Sequence, residues 1–394
     1  MQPNPLLGVV YHWLGGLSSG TFYVPYKGVR KWSWETFWLA GGMFSWLICP
    51  WIGALALSKD LLAVLHETTA YAFWMTYLMG VLWGLGGLTF GLTMRYLGMS
   101  LGMAVALGYC AAVGTLVPPL VKGEFAARLL QTHGGNVCFL GVMVCLAGIA
   151  LGGVAGVRKE RDMGNDGKSS AIAEFSLGKG LAIATFSGVM SLCFSYGFQF
   201  GDPITKISAS HGTGPLWVGL PVILVILLGG LTTNFIWCVL LNIKNRTGYQ
   251  YLASHVRAEH AHHGGLGGSE PAPAAASAGA PTDLNSPVLG NWLFCALAGT
   301  TWYMQFFFYT MGETQMGRYK FSSWTLHMAS IIIFSTLWGI FFQEWRGAKA
   351  LTKWLVGVML VFLVGSTVII GWGNKISEDA ARAPAAPIVQ TLQQ

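Results

Sequence analysis

Long stretches without a single charged residue are the feature that most constrains this chain. Ten windows lack Asp, Glu, Lys and Arg and are long enough to cross a bilayer as a helix: residues 1–26, 36–58, 68–94, 96–121, 129–157, 180–201, 207–243, 284–312, 321–343 and 354–374. About 20 helical residues span the hydrocarbon core, and a charge at its centre is costly. Backbone groups in lipid must be satisfied internally, and these windows lack the alternation of barrel strands. They predict an all-α, polytopic membrane protein with ten transmembrane helices.

The low charge content excludes several classes of protein. Only 10% of the residues are charged and 53% are hydrophobic, whereas an average soluble domain carries about 25% charged residues. Such a chain could not cover its own surface in water, which excludes a soluble enzyme and a disordered chain. The net charge of +7 is not gathered on one face, so nucleic acid is excluded as a partner.

The distribution of Lys and Arg predicts the orientation of the chain. With ten helices, the odd-numbered loops share one side of the membrane and carry fifteen Lys and Arg, whereas the even-numbered loops and the C-terminal tail carry eight. Since positive charges concentrate on the cytoplasmic side, the odd-numbered loops are predicted to be cytoplasmic. Both termini then face outward.

The number of helices predicts an inverted repeat. Five helices per half is an odd number, so the second half enters the membrane from the opposite side, as in many secondary transporters. We expect a first repeat at residues 1–157, a cytoplasmic connector at 158–179, a second repeat at 180–374 and a C-terminal tail at 375–394. Trp83 in helix 3 and Trp302 in helix 8 stand at matching places, a faint internal echo of this repeat.

Small residues and prolines predict local features of the helices. Four pairs of glycines spaced four apart favour close packing of backbones, with chance spacing as the alternative: Gly16 with Gly20, Gly87 with Gly91, Gly98 with Gly102, and Gly148 with Gly152. Pro221 lies inside the window of helix 7 and predicts a kink there.

The segment 244–287 differs in kind from the rest of the chain. It is rich in Ala, Gly, Pro and Ser and shows no apolar period, so it is predicted to be a flexible cytoplasmic loop. It also contains four histidines that could bind a metal: His255, His260, His262 and His263. A solvated linker is the favoured interpretation, because disordered ligands would have to be ordered to make a site. No metal or other cofactor is therefore predicted.

Several strings resemble the bacterial L-rhamnose–proton symporter family of the drug/metabolite transporter superfamily. They occur in family order across nearly the whole chain: FYVPYKGVRKWSWET at 22–36, LTMRYLGMS at 92–100, RKER at 158–161, WYMQFFFY at 302–309, SW at 323–324 and EW at 344–345. The resemblance implies ten helices in a bacterial inner membrane, with periplasmic termini under the orientation above. It also implies proton-driven uptake of L-rhamnose or a related neutral monosaccharide.

A neutral sugar needs amide, hydroxyl and indole groups for its hydroxyls and aromatic faces for its C–H surfaces. The candidates at membrane depth are Trp13, Trp83, Gln199, Asn234, Trp302, Tyr303 and Gln305. The alternative for the amides is hydrogen bonding between helices, because an unpaired amide in hydrocarbon is costly. Trp302 and Gln305 lie three residues apart and so share one face of helix 8.

Proton coupling needs a group that can titrate inside the membrane. His12 and His327 lie within predicted helices, in the outward half, and imidazole titrates near neutral pH. The alternative is a pair of structural histidines. Glu35 is the third candidate, although an acid in the first turn of helix 2 also has a structural role in complementing the helix dipole.

Together these features predict a proton-coupled symporter that works by alternating access, with the sugar, the proton and the bilayer as partners. The sequence leaves open the sugar, the coupling ion, the direction of transport and the oligomeric state. The rivals are an exporter or sodium-coupled carrier of the same fold, a non-transporting sensor, and a membrane-embedded enzyme acting on a lipid-linked sugar. An enzyme would need paired acids or a metal cluster at a helix end, and the sequence offers none.

Overall fold

The structure is a computed structural model that describes residues 3–97, 99–121, 123–162, 177–257, 283–317, 320 and 322–382. The first half consists of α1 (Pro5–Thr21), α2 (Tyr23–Tyr26), α3 (Trp34–Gly42), a π-helical segment (Met43–Ile48), α4 (Cys49–Leu57), α5 (Leu61–Glu67), α6 (Ala70–Leu97), α7 (Met99–Val121), a second π-helical segment (Ala126–Leu130) and α8 (His133–Asp162). The second half consists of α9 (Leu177–Phe200), α10 (Asp202–Ser210), α11 (Leu220–Asn245), a 3₁₀ turn (Gly248–Tyr251), β1 (His255–Arg257), β2 (Asp283–Asn285), α12 (Val288–Gln315), α13 (Ser322–Phe341) and α14 (Ala350–Arg382).

Every charge-free window contains helix, as the all-α prediction requires. Seven segments of the described chain are long and apolar enough to cross a membrane: Trp34–Leu57, Ala70–Phe90, His133–Lys159, Gly178–Ser210, Leu220–Asn245, Ser322–Phe341 and Ala350–Ala381. The other three windows correspond to α1, which has 17 residues, to α7, whose apolar core is Val105–Val117, and to α12, which has 28 residues.

The predicted kink at Pro221 is wrong, because the helix begins there. The window 207–243 is divided between the end of α10 and α11, and α11 starts at Leu220 with Pro221 in its first turn. Proline is tolerated at that position because the first amides of a helix have no partner within it. Pro50 is different, since it follows the π-helical segment Met43–Ile48, which relieves the clash of the proline ring with the preceding turn.

The ends of the second half also differ from the sequence prediction. α14 continues through Arg382, so eight residues placed in the C-terminal tail belong to the last helix. Within the loop 244–287, β1 pairs antiparallel with β2, with His255 opposite Asn285. His260, His262 and His263 lie outside the described residues, as do residues 163–176 of the connector.

The two halves are interleaved rather than packed side by side. α1 of the first half packs against α12 and α13 of the second, and α9 of the second half packs against α6 and α7 of the first. α11 lies against α3 and α6, while α12 lies against α3. The contact between α8 and α14 joins the last long helix of each half.

Glycines bring the helices together where α6 meets α11. A Cβ on Gly80 would lie 2.0 Å from the carbonyl oxygen of Ile226, and one on Gly229 would lie 2.2 Å from the carbonyl oxygen of Tyr77. No side chain fits into such a contact, so backbone packs directly on backbone.

Two of the four predicted glycine pairs are helix contacts. Gly16 and Gly20 meet Ser330 and Phe334 of α13, and Gly148 and Gly152 meet Leu363 and Met359 of α14. Gly87, in contrast, faces open space. The pair Gly98 with Gly102 includes Gly98, which lies outside the described residues.

Contacts between loops separate the two ends of the bundle. At one end, the backbone of Arg30, between α2 and α3, donates to and accepts from the side-chain amide of Asn291. At the same end, the ammonium of Lys159, at the end of α8, lies 4.7 Å from the centre of the Trp345 ring, between α13 and α14. At the other end, the backbone N–H of Asn4 donates to the side-chain oxygen of Gln315 at the end of α12. We call these the odd-loop end and the terminal end of the bundle.

Candidate functional site

Two tryptophans at equivalent places in α6 and α12 mark the middle of the bundle. Both helices have 28 residues; Trp83 is the fourteenth residue of α6 and Trp302 the fifteenth of α12. Both indoles contact Phe306, with ring centroids 5.4 Å and 6.3 Å away, respectively. Trp83 and Trp302 therefore contact the same phenylalanine at the middle of their helices.

A third tryptophan, Trp38 of α3, completes this group. Its ring centroid lies 6.1 Å from that of Trp302, and its indole N–H donates to Oδ1 of Asn234 at 3.0 Å. We call Trp38, Trp83 and Trp302 the tryptophan cluster. All three are half-buried.

Asn234 makes a hydrogen bond between helices, which was the alternative to sugar binding for the buried amides. Its oxygen accepts from Trp38, and its nitrogen donates to the carbonyl of Gly230 one turn earlier at 2.9 Å. The amide thus joins α3 to α11. Its hydrogen bond also fixes the orientation of the Trp38 indole.

His12 and His327 come together inside the protein as a histidine pair. Their ring centroids lie 6.2 Å apart, and the ring of Tyr309 contacts both, at 5.4 Å and 5.2 Å. His12 is fully buried and His327 is 2% exposed. Glycine makes this possible, because a Cβ on Gly312 would lie 2.8 Å from the His12 ring and one on Gly15 would lie 3.1 Å from the His327 ring.

The histidine pair and the tryptophan cluster belong to one continuous aromatic core. Phe194 of α9 connects them: its ring centroid lies 5.3 Å from that of Trp83 and 6.0 Å from that of Tyr309. Trp324 of α13 contacts both Phe194 and His327. Three helices of the first half, α1, α3 and α6, and three of the second, α9, α12 and α13, therefore contribute to this core.

Of the buried polar atoms that have no hydrogen-bond partner in the described part of the chain, some lie elsewhere, as at Ser58 and Gln250, and others belong to α1, α12 and α13 around this core. They include Nδ1 and Nε2 of His12, Nδ1 of His327, Nε2 of Gln305 and Nε1 of Trp302. Buried polar groups are nearly always hydrogen-bonded, and leaving one unpaired costs about 1–3 kcal/mol. Such unpaired atoms are what a polar ligand, a proton or water would satisfy.

Three of the predicted sugar ligands direct their polar atoms away from the tryptophan cluster or lie at a distance from it. Trp13 donates its indole N–H to Thr367 of α14 at 3.3 Å, which pairs it elsewhere. Tyr303 is 2% exposed and its hydroxyl abuts Gly53 of α4, because it points away from the Trp302 face of α12. Gln199 lies in the last turn of α9, near the end of the bundle and not at mid-depth.

Glu35 lies in a separate polar network at the odd-loop end. It occupies the first turn of α3 and is 4% exposed. One of its oxygens accepts from the Asn245 amide at 3.0 Å and from the Thr247 hydroxyl at 2.7 Å, both at the C-terminal end of α11. These contacts fasten the start of α3 to the end of α11 and are not shared with the histidine pair.

Sequence reasoning missed several residues of the core. Tyr309, Phe306 and Phe194 were not singled out, although Gln305 and Tyr309 are spaced four apart and so share a face of α12. α12 extends to Gln315 and so includes Glu313, one turn beyond Tyr309. The sequence signal that could have found Tyr309 was its spacing of four residues from Gln305, which places both on one face of α12.

The chain is similar in sequence to a known protein family and to several named proteins. The sequence profile described as "L-rhamnose-proton symport protein (RhaT)" matches residues 1–250 and 276–376. A protein of Cronobacter sakazakii named L-rhamnose-proton symporter is 36% identical over 371 residues, which cover 93% of this chain and 97% of the relative. A protein of Yersinia pestis (strain Pestoides F) with the same name is 34% identical over 372 residues, covering 93% of this chain and 98% of the relative.

Proposed function

The chain belongs to the L-rhamnose-proton symport family, and we propose that it carries L-rhamnose into the cell together with protons across a bacterial inner membrane. The observation that carries this function is the family match, which extends over both helical halves. It makes the protein a transporter and not an enzyme. The aromatic core with its unpaired polar atoms supplies the chemistry that such a carrier needs.

We propose ten crossings arranged as a 5+5 inverted repeat. Helices 1–5 would be α1, α3 with α4, α6, α7 and α8, and helices 6–10 would be α9 and α11 to α14. In this repeat α1 corresponds to α9, α6 to α12 and α7 to α13. The contacts of α1 with α12 and α13 therefore correspond to those of α9 with α6 and α7, and both sets of contacts occur. The same exchange relates the contact of α12 with α3 to that of α11 with α6. This agreement supports the repeat.

The sugar site that we propose lies at the tryptophan cluster, where the two repeats meet. Substrate sites of inverted-repeat transporters lie near the midplane, and Trp83 and Trp302 stand at the middle of their helices. Their ring faces suit the C–H surfaces of a deoxyhexose. The unpaired nitrogens of Gln305 and Trp302 would donate to its hydroxyls.

The proton site that we propose is the histidine pair. Active uptake requires that proton and sugar binding be linked, and linkage is reciprocal. The aromatic core joins the two sites, so a charge on either imidazole would act on the packing of Tyr309, Phe194 and the tryptophan cluster. The ring of Tyr309, whose centroid lies 5.2 Å from that of His327 and 5.4 Å from that of His12, would stabilise an imidazolium by cation–π contact. Glu35 is the reserve candidate, because its carboxylate is already fastened to α11.

Uptake of labelled L-rhamnose into proteoliposomes with an alkaline interior tests the function. The parent protein should accumulate the sugar, and collapsing the pH gradient should stop accumulation. A sodium gradient without a pH gradient should not replace it. Accumulation driven by sodium, or export against the imposed gradient, would instead favour one of the two rival carriers.

The same vesicles test the coupling site. His12→Gln and His327→Gln should abolish accumulation but preserve sugar exchange at equal pH, because the tryptophan cluster is unchanged. His66→Gln is the matched control, since His66 is an exposed histidine of α5, outside the core. If both core variants accumulate sugar like the parent, the pair is structural and Glu35→Gln becomes the variant to test.

A further inference from the structure

A groove at the odd-loop end, separate from the aromatic core, has the features of a lipid site. It lies between the end of α13 and the first turns of α14 and has a volume of about 600 Å³. Its floor is apolar, formed by Ile340, Val356 and Leu360 together with the bare backbone of Gly357. A Cβ on Gly357 would meet no other atom within 4 Å, so the floor is open there. Such a floor suits a hydrocarbon chain.

The rim of the groove is basic. Arg346 and Lys353 line it, and both are exposed. Arg346 donates to the side-chain oxygen of Gln343 at 3.3 Å and Lys353 to the carbonyl of Arg346 at 3.4 Å. Within the described residues neither cation has a carboxylate within ion-pair distance, so their positive charge is not neutralised by the protein.

The nearby acids do not cancel this charge. Asp162 is engaged by Lys349, whose ammonium lies 3.7 Å from it, and by the Thr352 hydroxyl at 2.6 Å. The carboxylate of Glu344 is turned back toward Gly339 at the end of α13. Lys159 adds a further cation beside the groove, over the Trp345 ring at 4.7 Å. The groove therefore presents a net positive rim.

The neighbouring side chains place the groove at the level of the membrane surface. Phe341 is 71% exposed and Trp354 is 64% exposed, on either side of the loop that forms the rim. Large aromatic side chains are exposed in this way where a helix emerges into the headgroup region. Trp345, which lines the groove, is an amphipathic residue of the same kind.

We propose that this groove binds an anionic phospholipid of the surrounding membrane. The phosphate would lie between Arg346 and Lys353, and one acyl chain would follow Ile340, Val356 and Leu360 into the bilayer. Charge complementarity selects an anionic over a zwitterionic lipid, since basic pockets between transmembrane helices bind acidic headgroups. Bound there, the lipid would connect α13, which carries His327, to α14.

Thermal unfolding of the purified full-length protein in detergent, with added lipids, tests the proposal. Phosphatidylglycerol should raise the midpoint of the parent in a concentration-dependent way, because a ligand of the folded state stabilises it. Phosphatidylcholine should have little effect, and neither should glycerol 3-phosphate, which carries the phosphate without the chains. An equal shift with phosphatidylcholine, or a full shift with glycerol 3-phosphate, would overturn it.

Variants locate the effect at the groove. Gly357→Phe should fill the floor and abolish the shift, whereas Gly365→Phe, at another glycine of α14 with open space around it, should keep it. Arg346→Gln and Lys353→Gln should each weaken the apparent lipid affinity about fivefold. Lys244→Gln removes an exposed cation elsewhere at the odd-loop end and serves as their control.

Native mass spectrometry gives a second readout for variants of low stability. Copies of phosphatidylglycerol retained by the parent and by Gly365→Phe should be lost from Gly357→Phe. If the groove variants retain the lipid as the parent does, the groove is not its site. Since uptake is not measured, this outcome is independent of the transport function.

Discussion

At the scale of single residues, the unpaired polar atoms distinguish Gln305 from Asn234. Both are buried amides at the centre of the bundle, at 4% exposure each. Asn234 has partners for both its oxygen and its nitrogen, whereas the side-chain nitrogen of Gln305 has none. An amide that remains unpaired in the absence of a ligand is a stronger candidate for ligand binding than one that already joins two helices.

We predict that Gln305→Ala weakens L-rhamnose binding about tenfold, the effect of one lost hydrogen bond to a sugar hydroxyl. Stability should change little, because the variant also removes an unpaired buried donor. Calorimetry gives the affinity and thermal unfolding the stability. Gln199→Ala, at the end of α9, is the matched control and should bind like the parent. Unchanged affinity in Gln305→Ala would assign Gln305 to helix packing alone.

At the scale of helices, glycine determines how closely α6 approaches α11. We predict that Gly80→Ala destabilises the protein by about 1–3 kcal/mol, because its Cβ would overlap the carbonyl of Ile226 and force the helices apart. Gly87→Ala, on the same helix but facing open space, should be neutral or stabilising by up to about 1 kcal/mol, since alanine favours helix. Denaturation of both variants in detergent measures the difference. Equal effects of the two substitutions on stability would mean that the contact between α6 and α11 adjusts to the added methyl group.

A titratable contact between the short helices α5 and α10 gives a pH dependence. His211, just beyond α10 and outside the membrane-spanning segments, lies 3.1 Å from a Glu67 oxygen and 3.4 Å from an Asp60 oxygen. Its hydrogen bond to Glu67, and next that to Asp60, raise the pKa of His211 above its usual value. The Lys59 side chain lies beside Gly212, the residue that follows His211. A raised pKa contributes stability that is present below the unfolded pKa of about 6.5 and is lost as pH rises through the folded pKa.

We therefore predict that His211→Gln lowers the unfolding midpoint near pH 6 and has a smaller effect near about pH 9, where the imidazole of the parent is neutral. Thermal unfolding of parent and variant at both pH values measures this difference. His66→Gln, an exposed histidine of α5, is the control and should show no such trend. A deficit that is the same at both pH values would show that the charge on His211 contributes nothing.

At the scale of the whole molecule, the separation of loops between two ends agrees with the distribution of charge. The loop between α2 and α3 meets the loops α11–α12 and α13–α14 at the odd-loop end, where Lys27 lies 3.6 Å from the centre of the Phe342 ring and the Lys31 ammonium donates to the carbonyl of Asn285. The N-terminal Asn4 lies at the other end, beside Gln315. Lys27, Lys31 and Lys159 therefore lie at the same end of the bundle, opposite Asn4.

We predict that both termini face the periplasm, because this basic face should be cytoplasmic. Alkaline phosphatase fused to the C-terminus should be active and a green fluorescent protein there should be dark. A fusion in loop 9–10, after Gly347, is the matched control and should give the reverse pattern. Fluorescence from the C-terminal fusion would contradict this orientation.

Much of the fold could be predicted from the sequence, because lipid imposes one rule on every helix. A spanning segment must be long, apolar and free of charge, and that property can be counted along the chain. The boundaries were less predictable. Pro221 was placed inside a helix that it begins, and α14 runs on to Arg382, because helix ends depend on caps and neighbours that hydropathy does not record.

The candidate site could likewise be predicted only in part from the sequence. The sequence by itself determined which residue types could recognise a sugar or a proton, since few polar side chains occur at membrane depth. Only the tertiary structure decided which of them meet: it joins His12 to His327 across 315 positions of chain, brings Trp83 and Trp302 against the same phenylalanine, and separates Trp13, Tyr303 and Glu35 from them. The physical reason is that hydrophobicity fixes the depth of a residue, whereas packing fixes the direction in which its helix turns it. That direction is set by glycine contacts such as those of Gly15 and Gly312 with the histidine rings, which are formed between residues distant in sequence.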